Sequence, residues 1–102
     1  VAYYKVPKHL LKDERLKANH ILLYAIILSL SELKGYCFAS NDFLSQELKC
    51  DKRQIQRELA YLKKSGYILV KDAHTARKIY PLELLLKDKP NPDDYYDWMD
   101  ED

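Results

Sequence analysis

The stretch LSQELKCDKRQIQRELAYLKKSGYILV, Leu44 to Val70, sets the tightest limit on the fold. Two helical patterns are separated by only Lys49, Cys50 and Asp51, a step short enough for a tight turn between two packed helices. The second pattern is bounded at both ends. Asp51 and Gln54 have capping-box spacing, with Asp in place of Ser or Thr. Gly66 is placed to stop the helix at about Ser65 through a left-handed cap. The β-rich run YILVK, Tyr67 to Lys71, follows, then the polar connection DAHTA. RKIYPL, Arg77 to Leu82, returns as the second strand of a hairpin, with Pro81 at an edge or at the strand's end.

Upstream, VAYYKVPKHLL begins extended, because Pro7 disfavours helix at Val6, and a short helical turn suits the residues after Pro7. The main first helix is expected from about Lys17 to Lys34, with Gly35 as its cap. Its apolar residues are too dense for a half-exposed helix, so it belongs at the centre of the domain. GYCFAS, Gly35 to Ser40, reads as a brief strand. Ser40 or Asn41 caps a second helix from Asn41 to about Lys49, with Phe43, Leu44 and Leu48 at helical spacing. LELLLK reads as a further short helix and DKPNPDD as a linker.

The order is helix, short strand, helix, tight turn, helix, two-stranded hairpin. This is the order of a winged helix-turn-helix: a mainly α fold with a small β hairpin as its wing. Residues 1–90 form that domain and 91–102 an acidic, aromatic tail or linker. A chain of 102 residues can bury a modest core without metal or disulfide.

At about 100° per residue, Ile55, Leu59 and Leu62 of the third helix share a narrow sector facing the core. Arg53, Arg57, Ala60 and Lys64 cluster opposite, with Gln56 at the margin. A major groove admits an α-helix, Arg bonds guanine edges or phosphates, and Gln bonds adenine edges. Ala60 permits close approach, while Lys52 and Lys64 suit phosphates. On the hairpin, Lys71, His74, Arg77 and Lys78 are candidates for phosphate or minor-groove contact. Ser40 and Asn41 present a helix N-terminus to a phosphate, or serve as plain caps. An ordinary solvated basic surface is the alternative throughout.

The charge distribution favours a polyanion. The net charge is +1, yet Asp93 to Asp102 holds six acidic residues and no basic one. Positions 1–92 therefore carry 17 basic against 10 acidic residues, net +7.

The stretch GYCFASNDFLSQELKCDKRQIQRELAYLKKSGYI resembles the winged helix-turn-helix domains of bacterial, plasmid and phage replication proteins, both initiators and replisome organisers. KANHILLYAIILSL resembles their first helix and YYKVPKHLL the extended lead-in, so the likeness covers roughly Tyr3 to Tyr80. It implies double-stranded DNA binding in replication initiation or control; related domains also occur in transcriptional regulators. One departure stands out: the family often has Gly in the turn where this chain has Lys49. A left-handed Lys49 carries about 1 kcal/mol of strain relative to Gly. Otherwise the turn differs and the third helix is re-angled. The acidic tail lies outside the resemblance.

Enzymatic chemistry finds no foothold. His9, His20 and His74 fall in three elements without metal-binding spacing, and there is neither a Gly-rich phosphate loop nor a nucleophile elbow. No cofactor or metal is expected. Cys37 and Cys50, thirteen positions apart, read as reduced, partly buried thiols. With no secretory signal and no apolar run of membrane length, the expected place is the cytoplasm. The missing initiator Met suggests a processed or excised chain, so a larger parent protein is open. Three readings of the tail stand: a solvated end, a docking peptide for other replication proteins, or a DNA mimic folding over the basic face. A homodimer, a transcriptional repressor and a winged helix used only for protein contacts are the open alternatives.

Overall fold

Thirteen residues, Ala18–Leu30, form the helix around which the rest is arranged (α2). All six residues from Leu23 to Leu28 are buried, as a helix apolar on every side requires. A computed structural model describes residues 4–72, 77–86 and 95–97.

Ahead of α2 lie a strand, β1 (Lys5–Pro7), and one helical turn, α1 (Lys8–Leu11). Behind it come α3 (Asn41–Leu48), α4 (Lys52–Lys64), the hairpin β2 (Ile68–Asp72) and β3 (Arg77–Pro81), the short α5 (Leu82–Leu86), and β4 (Tyr95–Asp97). The hairpin is antiparallel, with Val70 opposite Ile79 and Lys71 opposite Lys78. Side chains from α1, α2, α3, α4 and the hairpin meet in one core, where Leu10, Leu23, Ile27, Leu44, Ile55, Leu62, Ile68 and Ile79 are fully enclosed. Each such aliphatic side chain contributes about 1.5–3 kcal/mol relative to exposure.

Three elements differ from the sequence expectation. The central helix ends at Leu30, short of Lys34. The Ser31 hydroxyl folds back onto the Ile27 carbonyl at 2.6 Å, and the Ser31 and Glu32 amides bond three residues back, to Leu28 and Ser29. That tightens the last turn and ends the α-helical ladder. Gly35 still takes the left-handed conformation, with φ of 85°. The expected strand at Gly35–Ser40 is a single bridge. Cys37 exchanges both amide bonds with Ile79 (2.7 and 2.8 Å), and no neighbour extends the ladder.

The third difference concerns the acidic segment. Tyr95–Asp97 is a strand where a linker or solvated end is expected: it pairs antiparallel with β1, Val6 facing Tyr96. Residues 87–94 and 98–102 lie outside the described residues.

Candidate nucleic-acid interface

The orientation of α4 is set at both ends. Asp51 is its N-cap, and the carboxylate accepts the Gln54 amide at 2.9 Å. Only half of the expected capping box forms. The Gln54 side chain turns instead to Glu58 one helical turn on, donating to Oε2 at 2.9 Å. At the far end, Gly66 has φ of 85°, the Tyr67 amide reaches the Leu62 carbonyl at 2.9 Å, and the Gly66 amide reaches Lys63 at 3.2 Å. This paired arrangement satisfies the last carbonyls of the helix and turns the chain into β2.

Between α3 and α4 the chain turns at Lys49, with φ of 58° and ψ of 46°. It is the one non-glycine residue with positive φ among those described. Lys49 is therefore left-handed, and the turn keeps the geometry that glycine would give it.

Ile55, Leu59 and Leu62 face inward, and Arg53, Gln56, Arg57, Ala60 and Lys64 are all exposed on the other side. Two furrows flank this exposed ridge. One runs between α4 and the start of α2, lined by Lys17, Asn19, His20, Gln54, Arg57 and Tyr61. There His20 accepts the Lys17 amide at Nδ1 (3.0 Å) and stacks on Tyr61 at 4.5 Å, so it is a boundary residue of the fold. The other runs between α4 and the hairpin, lined by Asn41, Gln56, Ala60, Lys63, Val70 and Arg77.

The remaining candidates are distributed unevenly. Ser40 caps α3, its hydroxyl accepting the Phe43 amide at 3.1 Å. Asn41 accepts the Arg77 guanidinium at 2.8 Å, while Arg77 also donates to the Ala39 carbonyl at 2.7 Å. Lys52 forms an exposed ion pair with Asp42 at 3.0 Å, a contact that water weakens and a phosphate can replace. Lys71 and Lys78 do not join the furrow beside α4. They alternate with Val70 and Ile79, so they stand on the opposite face of the hairpin. Their ammonium groups lie over Tyr80 (5.6 Å) and Tyr36 (4.8 Å). His74 lies outside the described residues.

The profile of the helix-turn-helix domain family matches residues 14–68, more than half of the chain. The chain belongs to that family. The match runs from just ahead of α2 to the first residue of β2, so the helix-turn-helix proper, α3 and α4, falls wholly inside it. Family membership points to DNA binding and to a class that is not typically enzymatic. With the hairpin of β2 and β3 appended, this helix-turn-helix domain has the architecture of a winged helix. Neither a curated protein nor a solved structure matches the chain. Among the described residues no helix is long and apolar enough to cross a membrane.

Two parts of the helix-turn-helix surface escaped the sequence reading. Lys63 is exposed beside the hairpin furrow, about 80° round the helix from Arg53, which puts it outside the sector drawn around the two arginines. Glu58 is only 6% exposed, and its Oε1 lacks a hydrogen-bond partner among the described residues. Its angular place, between Leu62 and Gln54, could have signalled a boundary position.

Proposed function

We infer that this helix-turn-helix domain binds double-stranded DNA through α4, in the initiation or control of replication of a plasmid, phage or other mobile element. The observation that carries the reading is the outward set of Arg53, Gln56, Arg57 and Ala60 on a helix whose opposite side is buried. Arg53, Gln56 and Arg57 are long enough to reach base edges, and Ala60 leaves the helix axis free to approach them. Lys52, Lys63 and Lys64 border that face and meet phosphates. Phosphate contacts fix the register, and base contacts give selectivity. The N-terminus of α3 carries Ser40 and Asn41 towards the same side as Arg77, where free amides favour an anion.

The replication assignment is supported by the resemblance of Tyr3 to Tyr80 to the winged domains of replication initiators and organisers. Protection mapping across a complete plasmid or phage genome tests it. Protected sites gathered at an origin support a role in replication. Sites gathered at promoters support a transcriptional repressor instead, and no protection anywhere supports a domain used for protein contacts.

A further inference from the structure

The geometry points to a second nucleic-acid surface, on the outer face of the hairpin, that takes single-stranded DNA. The alternation of the sheet builds it. Cys37 and Ile79 are buried, so their neighbours Tyr36, Phe38, Lys78 and Tyr80 turn the other way. Register places Lys71 opposite Lys78 and Leu69 opposite Tyr80 on that same face. Phe38 is 61% exposed and Leu69 47%.

The result is an aromatic row crossed by lysines. Tyr36 lies 6.4 Å from Phe38 and 5.6 Å from Tyr80, centroid to centroid. Lys34 stands over Phe38 at 5.0 Å, Lys78 over Tyr36 and Lys71 over Tyr80. Among the described residues, none of the three lysines has a carboxylate within ion-pairing distance. Like charges directly opposite in a ladder repel, so the Lys71–Lys78 pair carries a cost that a bound anion relieves.

An occupant of this face must supply negative charge at the lysines and flat, stackable groups at the rings. Single-stranded nucleic acid supplies both, because its unpaired bases stack on aromatic rings while basic side chains follow the phosphates. A duplex hides its base faces and leaves the rings unused. An acidic peptide meets the lysines, but the acidic, aromatic segment of this chain is engaged elsewhere, Tyr95–Asp97 being paired with β1. The choice of DNA over RNA rests on the duplex reading given above, since α4 brings DNA to the same molecule. The single-strand surface itself uses none of the α4 residues that meet the duplex.

Fluorescence anisotropy with an oligothymidylate of about ten nucleotides, the matching oligouridylate and a duplex tests this. The protein is expected to bind oligothymidylate and to lose about tenfold in affinity with Phe38→Ala, the loss of one stacked base. Duplex affinity and melting temperature should stay unchanged in that variant, because Phe38 is exposed and lines neither furrow beside α4. The double variant Lys71→Ala/Lys78→Ala should flatten the salt dependence for the single strand by about 1.4 units of log–log slope. Phe38→Ala binding oligothymidylate as well as the wild type would overturn the proposal. So would preference for oligouridylate, or displacement of the oligonucleotide by low concentrations of a peptide of residues 93–102. Absent duplex binding with intact oligothymidylate binding would refute the duplex reading and leave this surface standing.

Discussion

The Arg77 guanidinium donates to Asn41 Oδ1 at 2.8 Å, tying the second hairpin strand to the first residue of α3. A second bond, to the Ala39 carbonyl at 2.7 Å, makes the tie two-pronged. The hairpin is thereby tied to the start of α3, beside the furrow that Asn41 and Arg77 both line. Arg77 is thus a strut of the fold, a role that its place in the sequence does not indicate.

Replacing Arg77 with Ala removes both bonds and leaves the Asn41 and Ala39 oxygens half-buried without their donor. Stability should fall by about 1–3 kcal/mol, read from urea midpoints. Amide exchange in β2 and β3 should quicken more than in α2. Equal exchange rates in the variant and wild type would mean that the hairpin is held by its apolar side alone.

At Lys49 the turn between the two helices is formed by a side-chain-bearing residue in the left-handed region. Lys49→Gly removes the clash of Cβ with the backbone, worth about 1–2 kcal/mol. It returns part of this, about 0.4–1 kcal/mol, as extra freedom of the unfolded chain. The net expectation is a modest rise in melting temperature, with DNA affinity unchanged because α4 keeps its angle. Lys49→Val, β-branched at positive φ, should lower the melting temperature clearly.

How far the sequence reveals this molecule depends on whether a signal is local. Asp51, Gly66 and the apolar triad Ile55, Leu59 and Leu62 act within a turn or two of their own positions, and they specify α4 correctly. The exposed arginines follow from the same helical period. The end of α2 was not legible, because it depends on the Ser31 hydroxyl choosing the Ile27 carbonyl over solvent. The face on which Lys71 and Lys78 stand depends on register with Ile79 and Cys37, a non-local fact. The pairing of Tyr95–Asp97 with Lys5–Pro7 joins opposite ends of the chain, and no local pattern announces it.

Asp13 gives the stability a dependence on pH. Its carboxylate accepts from the Arg15 side chain (3.0 and 2.7 Å), from the Arg15 amide (3.0 Å) and from the Tyr67 hydroxyl. The Arg15 guanidinium, helped by Tyr67, holds the carboxyl well below the usual carboxylate range. A carboxyl with a depressed folded pKa adds stability above its unfolded value, about 3.9, and loses it as pH falls towards the folded value. The urea midpoint should therefore drop between pH 5 and pH 2, and it should drop less in Asp13→Asn. Parallel declines in the two proteins would remove Asp13 from the account.

The two thiols should differ in reactivity. Burial pushes the Cys37 thiol up, and its side chain is enclosed beside Ile79. Cys50 is raised too, by burial first and then by the Glu58 and Asp51 carboxylates, but it is partly accessible. Reaction follows thiolate content and access together. Alkylation followed by mass spectrometry should show Cys50 modified first and Cys37 only on unfolding. Early modification of Cys37 would show that the core opens around the Cys37–Ile79 bridge.

The central claim is that the exposed side of α4 contacts DNA, and the double variant Arg53→Ala/Arg57→Ala tests it most directly. Both side chains are exposed, so folding should be preserved. Binding to a footprinted duplex, followed over a salt series, should weaken at every salt concentration. If both arginines meet phosphates, the log–log slope should become shallower by about 1.8 units, and by less if either reads a base. Wild-type affinity and slope in the double variant would contradict the account.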